Sequence, residues 1–308
     1  HMPASKAPNL SIDGNFRIFQ TDVAFTQNFE HGIFVHIHTP LLHTEFARLQ
    51  FNPVQTSATA TWSTCIENIS TMLQRFNIQA FTPNTLDFGD TTCSVGYTYT
   101  FDDTEYIDFC DITVQTGILF PTGREPKTDI AFDIPYGFNG HTGFLLTGDI
   151  AWGIYDWLVF GLATHNILFT PHTRSQRLST SPTASGWFHP QIQCTHVEGG
   201  SLRHVSIYTK ADHVLKGLSI LFGFSHEHRS KQNAFLQATD MYDQYTTNAP
   251  HLRGWKKNTF HWYIAYDFAT YEHPFAPEIT VFCNHVLDGR NVFESSNGGM
   301  SLQCNFMW

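Results

Sequence analysis

The chain contains 308 residues, of which 14% are charged, 15% are aromatic and 42% are hydrophobic. Soluble proteins carry about 25% charged residues, so this composition argues against an ordinary soluble enzyme, and the hydrophobic content argues against disorder. The formal net charge of −10 argues against a nucleic-acid-binding protein, which normally shows a basic patch. Its most apolar stretch, residues 143–169, is interrupted by Asp149 and Asp156. A transmembrane helix, which needs about 20 continuous apolar residues, is therefore excluded.

Apolar and polar residues alternate along most of the chain, and a period of two predicts strands. The clearest runs exceed the five or six residues usual for soluble strands, and about 9 to 11 residues suffice for a tilted strand to cross a bilayer. About twelve strands are predicted, an even number that would return both termini to the same side. In chain order they are Phe16–Phe25, Gly32–Thr39, Thr44–Phe51, Thr92–Phe101, Tyr106–Phe120, Gly140–Ile154, Trp157–Thr170, Gly200–Ala211, Val214–His226, Lys257–Ala269, Pro277–Leu287 and Gly299–Trp308.

The connections between these strands alternate between short turns and long polar loops, as in outer-membrane barrels. In the first long loop, apolar residues at helical spacing predict a short amphipathic helix over Trp62–Phe76. The segment Gly186–His196 is strand-like, but counting it as a crossing would break the parity, so it is interpreted as loop or strand extension. The fold class predicted is all-β: one antiparallel transmembrane barrel with a short helix in a long loop.

The polar faces of the strands indicate a water-filled lumen. They carry Ser, Thr, Gly, Asn, His and a few Asp, whereas a solvated outer face normally carries more Lys and Glu. Aromatic side chains near the strand ends are typical of the girdles at a membrane–water interface. The predicted lumen-lining residues are Asp111, Thr113, Gln115, Thr147, Asp149, His261 and Asp267.

The last strand carries the sharpest motif. Apolar residues alternate from Met300 to Phe306, and the chain stops on Trp308. This strand resembles the C-terminal strand of bacterial outer-membrane β-barrel proteins of the porin-like kind, which the barrel-assembly machinery reads. The resemblance implies that Leu302, Phe306 and Trp308 face lipid and take part in assembly. A closed barrel also requires the last strand to pair with the first, Phe16–Phe25. Cys304 departs from the pattern, because cysteine is uncommon in such barrels.

The six cysteines show no metal-binding spacing. Two disulfide pairings are possible, Cys65–Cys194 and Cys283–Cys304. The pairs His36/His38 and His226/His228 each share a strand face, but no third ligand is tied to either pair by spacing. They are interpreted as lumen or rim residues, and neither a metal nor a cofactor is expected.

A catalytic interpretation rests on one weak motif. His204 and Ser206 resemble the His-x-Ser pair of outer-membrane phospholipase, but Ile207 and Tyr208 stand where that pattern has Asn-Gly. A catalytic triad is recognised by geometry rather than by spacing, so these two residues are weak candidates only. The chain is expected not to be an enzyme.

The sequence therefore predicts a pore or transport protein of the bacterial outer membrane, with a weakly cation-favouring lumen that the Trp62–Phe76 segment obstructs in part. Residues 16–308 would form the barrel, and residues 1–15 a tag remnant and N-terminal segment, with a native signal peptide removed. The expected partners are membrane lipid, the barrel-assembly machinery and small solutes or ions, with no nucleic acid. Two alternatives stay open: a barrel hydrolase of the phospholipase kind, and a soluble all-β binding or capsid-type protein.

Overall fold

The structure is a computed structural model that describes residues 10–53, 68–82, 84–102, 107–131, 133, 136–155, 157–177, 192–236, 252–268, 275–292 and 295–306. Fifteen strands lie within these ranges: β1 Leu10–Asn28, β2 Ile33–Pro53, β3 Asn84–Phe88, β4 Thr91–Asp102, β5 Phe109–Phe120, β6 Gly143–Tyr155, β7 Leu158–Phe169, β8 His172–Arg177, β9 Ile192–Val197, β10 Ser201–Leu215, β11 Leu218–Arg229, β12 Ala234–Leu236, β13 Trp255–Asp267, β14 Phe275–Arg290 and β15 Ser296–Phe306. They are joined by a 3₁₀ turn, Glu30–Gly32, and one α-helix, α1, Ile69–Arg75.

The main sheet is an antiparallel meander. Its strands follow the order β1-β2-β4-β5-β6-β7-β10-β11-β13-β14-β15, and β3 also pairs with β2. The sheet curls into a nearly closed barrel, which confirms the predicted fold class. Strands β8, β9 and β12 form a separate sheet, so the segment that was interpreted as loop or strand extension does not cross the barrel. No helix in the described ranges has the length and apolarity needed to cross a bilayer.

The first half of the meander corrects the predicted strand count. The predicted strands Gly32–Thr39 and Thr44–Phe51 are one continuous strand, β2. Opposite it, the pairs His38↔Thr92 and Leu41↔Phe88 show that one extra residue lies between β3 and β4. This is a β-bulge, and β3 and β4 together cross the barrel once. Eleven strands therefore form the barrel path within the described residues.

Pro40 misled the sequence interpretation, because proline usually marks an edge or an end of a strand. Here Pro40 lies at the bulge, where a strand tolerates a residue that has no backbone N–H donor. Its carbonyl still accepts a hydrogen bond from the Gly89 N–H at 2.7 Å.

The two rims of the barrel differ. The short-turn rim carries the β1–β2, β6–β7 and β10–β11 turns, and the long-loop rim carries the loops after β2, β5, β7 and β11. The predicted alternation of short and long connections is therefore correct. The predicted pairing of the last strand with Phe16–Phe25 is not: within the described ranges β15 pairs with β14, and no backbone pairing joins it to β1.

The buried apolar core lies inside the barrel near the long-loop rim. It is formed by inward side chains of β5, β6, β7 and β10, with Phe138 and Trp255 packed against it. Its members, called here the apolar layer, are Leu119, Leu145, Ile167, Phe169 and Leu202. A second cluster joins Leu73 of α1 to Ile78 and Ala131. The described part of the predicted Trp62–Phe76 helix thus packs on the loop after β5, and residues 54–67 lie outside the described ranges.

The outer surface of the barrel is apolar, because large hydrophobic side chains alternate outward along the strands. Phe222 is 49% exposed, Ile207 58%, Ile264 41% and Leu302 66%. Soluble monomers rarely expose contiguous apolar surface of this extent, whereas a lipid-facing band requires it. Phe306 ends β15 and Trp308 lies outside the described residues, so the proposed assembly role of this strand stays a prediction.

Candidate functional site: the barrel lumen

Strand alternation assigns one face of each barrel strand to the lumen. On β5 and β6 the exposed outer residues include Val114, Phe144 and Leu146, so the residues between them point inward. By this assignment all the predicted lumen residues lie on inward faces: Asp111, Thr113, Gln115, Thr147, Asp149, His261 and Asp267. Their part in conduction stays a prediction.

Asp111 and Asp149 are predicted lumen acids on the neighbouring strands β5 and β6. The pairs Asp111↔Ala151 and Thr113↔Asp149 make them diagonal neighbours on one face of the β5–β6 ladder. Asp111 accepts a hydrogen bond from the Thr100 hydroxyl at 2.6 Å. These carboxylates form an acidic pair on the inner wall.

Tyr208, on β10, reaches Asp149 across β7. Its hydroxyl donates to Asp149 Oδ1 at 3.1 Å. The phenol ring lies over its cross-strand partner Gly161, where a Cβ atom would lie 2.0 Å from the Tyr208 ring carbon Cζ. An aromatic ring packed on a cross-strand glycine is a recurrent stabilising device in curved sheets. Glycine at this position is therefore what allows the tyrosine to reach the carboxylate.

Thr113, Gln115 and Thr147 lie on the same β5–β6 ladder as the acidic pair, whereas His261 and Asp267 lie on β13. The His261 ring is 2.6 Å from the Ser225 hydroxyl and 2.6 Å from Asn284 Oδ1. Asp267 pairs with Glu278 at the short-turn rim, so two acids face each other there. Two acidic pairs thus line the wall, Asp111–Asp149 and Asp267–Glu278, and His261 lies in a hydrogen-bonded network with neighbouring strands.

Sequence reasoning missed another network, in which a carboxylate of β11 contacts side chains of the neighbouring strands β10 and β13. Glu227 lies 3.3 Å from His204 Nδ1 and 2.8 Å from Lys257 Nζ. His204 therefore pairs with an acid, and no hydrogen bond within the described residues joins it to Ser206. The weak catalytic pair is not brought together as a nucleophile and base, which need a separation of about 2.6–3.2 Å.

The inner wall carries more acids than cations that could neutralise them. Lys257 is held by Glu227, and Lys210 is held by Asp212 at 2.7 Å. The bonds of Asp111 and Asp149 described above come from hydroxyl groups rather than from cations. Below the apolar layer, the wall is therefore a negatively charged surface.

The loop between β5 and β6 folds over the long-loop end of the lumen. The Tyr136 side chain is buried, and its hydroxyl is hydrogen bonded to Thr44 of β2 and Thr85 of β3. Phe138 stacks on Phe169 of the apolar layer with ring centroids 4.8 Å apart. This loop narrows the described part of the lumen, and the predicted obstruction by the Trp62–Phe76 segment stays a prediction, because residues 62–67 lie outside the described ranges.

Asp90 anchors that loop to the barrel. It lies in the bulge between β3 and β4, and its carboxylate accepts hydrogen bonds from the backbone N–H groups of Gly123 at 2.9 Å and Phe138 at 2.5 Å. The bulge thus holds the β5–β6 loop at the long-loop end of the barrel.

Basic side chains lie beside the apolar layer, and a nearby carboxylate, that of Glu125, is 3.3 Å from His172 Nε2. The Arg229 guanidinium stacks on Phe169 at 5.1 Å and on Phe138 at 5.5 Å. His141 is fully buried, and its Nδ1 is 2.8 Å from the Thr170 carbonyl oxygen. Burial, together with nearby positive charges, lowers the pKa of His141 to about 4. At neutral pH this histidine is therefore uncharged.

Other candidate motifs are placed as follows. His38 is 2.9 Å from Asp22, His36 is 2.8 Å from the Thr26 hydroxyl, and His226 is 2.7 Å from Asn258. No group of three or more metal-ligating side chains is present in the described ranges.

The possible Cys283–Cys304 disulfide is contradicted. Cys283 is a free thiol opposite Gly298, whereas Cys304 lies further along β15 opposite Pro277. The other possible disulfide involves Cys65, which lies outside the described residues.

Comparison with known proteins gives a likeness in fold. No protein-family model matches the chain, and no curated protein matches it. Among solved structures, it is similar to an outer membrane channel from Pseudomonas putida F1, with a TM-score of 0.51 and 11% sequence identity. The alignment covers 96% of this chain and 84% of the channel. This likeness concerns the barrel fold.

Proposed function

We propose that the barrel is a pore of the bacterial outer membrane that passes small polar solutes or ions and favours cations. The apolar outer band supports a membrane location, as does the likeness in fold to an outer membrane channel. The proposal also includes insertion by the barrel-assembly machinery, which would read the last strand.

The observation that carries the cation preference is the acidic pair Asp111–Asp149. Carboxylates that line a narrow lumen attract cations and repel anions, and low-dielectric walls strengthen the effect. Because the lumen lysines Lys210 and Lys257 are each bound to another acid, they do not neutralise this pair. The loop anchored by Asp90 covers the long-loop end, which restricts passage to small solutes.

Ion selectivity in planar bilayers tests the proposal. Under a tenfold KCl gradient, the unmodified chain should give a reversal potential of the sign expected for cation preference. The double variant D111N/D149N should lower the ratio of cation to anion permeability, because it removes both charges while keeping their shape. The matched control E30Q/E198Q removes two exposed acids outside the lumen and should leave the ratio unchanged.

Two results would contradict the proposal. One is anion preference in the unmodified protein. The other is an equal permeability ratio in the lumen variant, the control and the unmodified chain.

A further inference from the structure

The outer surface of β11, β13 and β14 changes character toward the long-loop rim. Near mid-strand it is apolar, and Phe224 lies opposite Phe260 with both side chains exposed. Two steps further along the same outward face, Lys256 lies opposite His228 on one side and Arg290 on the other. At about 3.3 Å per residue, the basic row is about 13 Å from the apolar one. The row between them carries His226, Asn258 and Asp288, so one polar row separates the apolar band from the basic band.

The basic band is concave. His228, Lys256 and Arg290 line an open groove of about 420 Å³, together with Lys231, Arg253 and Trp255. Within the described residues none of the five basic side chains forms an ion pair, and all five are exposed. This clustering runs against the formal net charge of −10 of the whole chain. A concave surface lined by charges of one sign raises the local concentration of anions.

We propose that this groove binds the phosphate-bearing headgroup of a membrane lipid in the leaflet on the long-loop side. Arginine and lysine bind phosphate oxygens through charge-assisted hydrogen bonds. The acyl chains would lie on the apolar band of Phe222, Phe224 and Phe260, which follows the polar row on the same outward face. The apolar band on the same face favours a lipid over free phosphate, because free phosphate would contact the basic side chains alone. The inference rests on the proposed membrane location, but not on conduction.

Native mass spectrometry of the full chain in dodecyl maltoside tests this inference. The probes are lipid A, which carries phosphates on a glucosamine headgroup, and phosphatidylcholine, whose phosphate is neutralised by choline. Bound lipid A should exceed bound phosphatidylcholine at least tenfold. The variant K256Q/R290Q should retain at least fivefold less lipid A. The control K127Q/K216Q loses the same charge from exposed positions outside the groove and should bind lipid A as the unmodified chain does.

Three outcomes would overturn the inference: equal binding of the two lipids, unchanged binding in K256Q/R290Q, or displacement of lipid A by 10 mM inorganic phosphate. The last would identify a free-phosphate site. Planar-bilayer conductance separates this inference from the proposed pore, because K256Q/R290Q should conduct normally. A chain that binds lipid A and does not conduct would contradict the proposed pore function but not the lipid-binding groove.

Discussion

His141 should make the stability of the barrel depend on pH. Its ring is fully buried, with the Thr170 carbonyl at Nδ1 and the Gln232 amide 3.3 Å from Nε2. Nearby positive charges disfavour protonation of the ring, because Arg174, Arg229 and His172 all lower the pKa of His141. Protonation would therefore place a cation in an apolar, already positive environment.

The magnitude follows from the pKa of His141 of about 4 in the folded protein. An ordinary histidine has a pKa of about 6.5, and one unit corresponds to about 1.4 kcal/mol, so the difference amounts to roughly 3 kcal/mol. Because the folded-state pKa is lowered, the unfolded chain binds the proton first. The stabilising contribution is then fully present above about pH 6.5 and is lost as the pH falls toward 4.

The assay is urea unfolding of the detergent-refolded chain between pH 8 and pH 4, followed by tryptophan fluorescence. His141→Gln removes the titrating group and keeps a polar side chain, so its stability should fall less than that of the unmodified chain over this range, by up to about 3 kcal/mol. His228→Gln, at an exposed outer position, should follow the unmodified chain. Identical pH profiles for His141→Gln and the unmodified chain would refute the reasoning.

Two further substitutions test the assignment of the strand faces and the inner wall by urea unfolding. Ile264 faces outward near mid-strand, so Ile264→Arg should lower the free energy of unfolding by about 2–4 kcal/mol, and the inward change Ala265→Arg should cost less; equal tolerance would argue against this register. Gly161→Val should displace the tyrosine ring packed over it and cost about 1–3 kcal/mol, as overpacking does. Gly148→Val is the matched control, because its Cβ would meet only one side-chain atom, at 3.5 Å, and a loss as large as that of Gly161→Val would contradict the packing argument.

The sequence was enough to predict the fold class, because alternation is a local property. The same alternation predicts that Asp111 and Asp149 line the lumen. The strand count failed at Pro40, since a proline inside a long strand is tolerated only where a bulge removes the need for its donor. That bulge depends on the pairing of β2 with β3, which lies far along the chain. It therefore leaves no local pattern in the sequence around Pro40.

The closure of the lumen could not be predicted for a similar reason. The Asp90 carboxylate binds the backbone of Phe138, and nothing in the spacing of these residues indicates the contact. The apolar layer was missed because inward positions were expected to be polar along their whole length. The contact of Tyr208 with Asp149 spans an intervening strand and requires the register of two ladders. Predicting this contact would have required the pairing of several strands to be known.

The central claim is that this chain folds as a membrane-spanning barrel, and gel mobility after refolding into detergent tests it most directly. The full-length chain should require detergent and should migrate differently in unboiled and boiled samples, because a hydrogen-bonded barrel resists dodecyl sulfate until heated. Deleting residues 303–308 should abolish the shifted band, since it truncates β15, whose backbone pairs with β14. A full-length chain that stays soluble and monodisperse without detergent, with one mobility before and after boiling, would contradict the account.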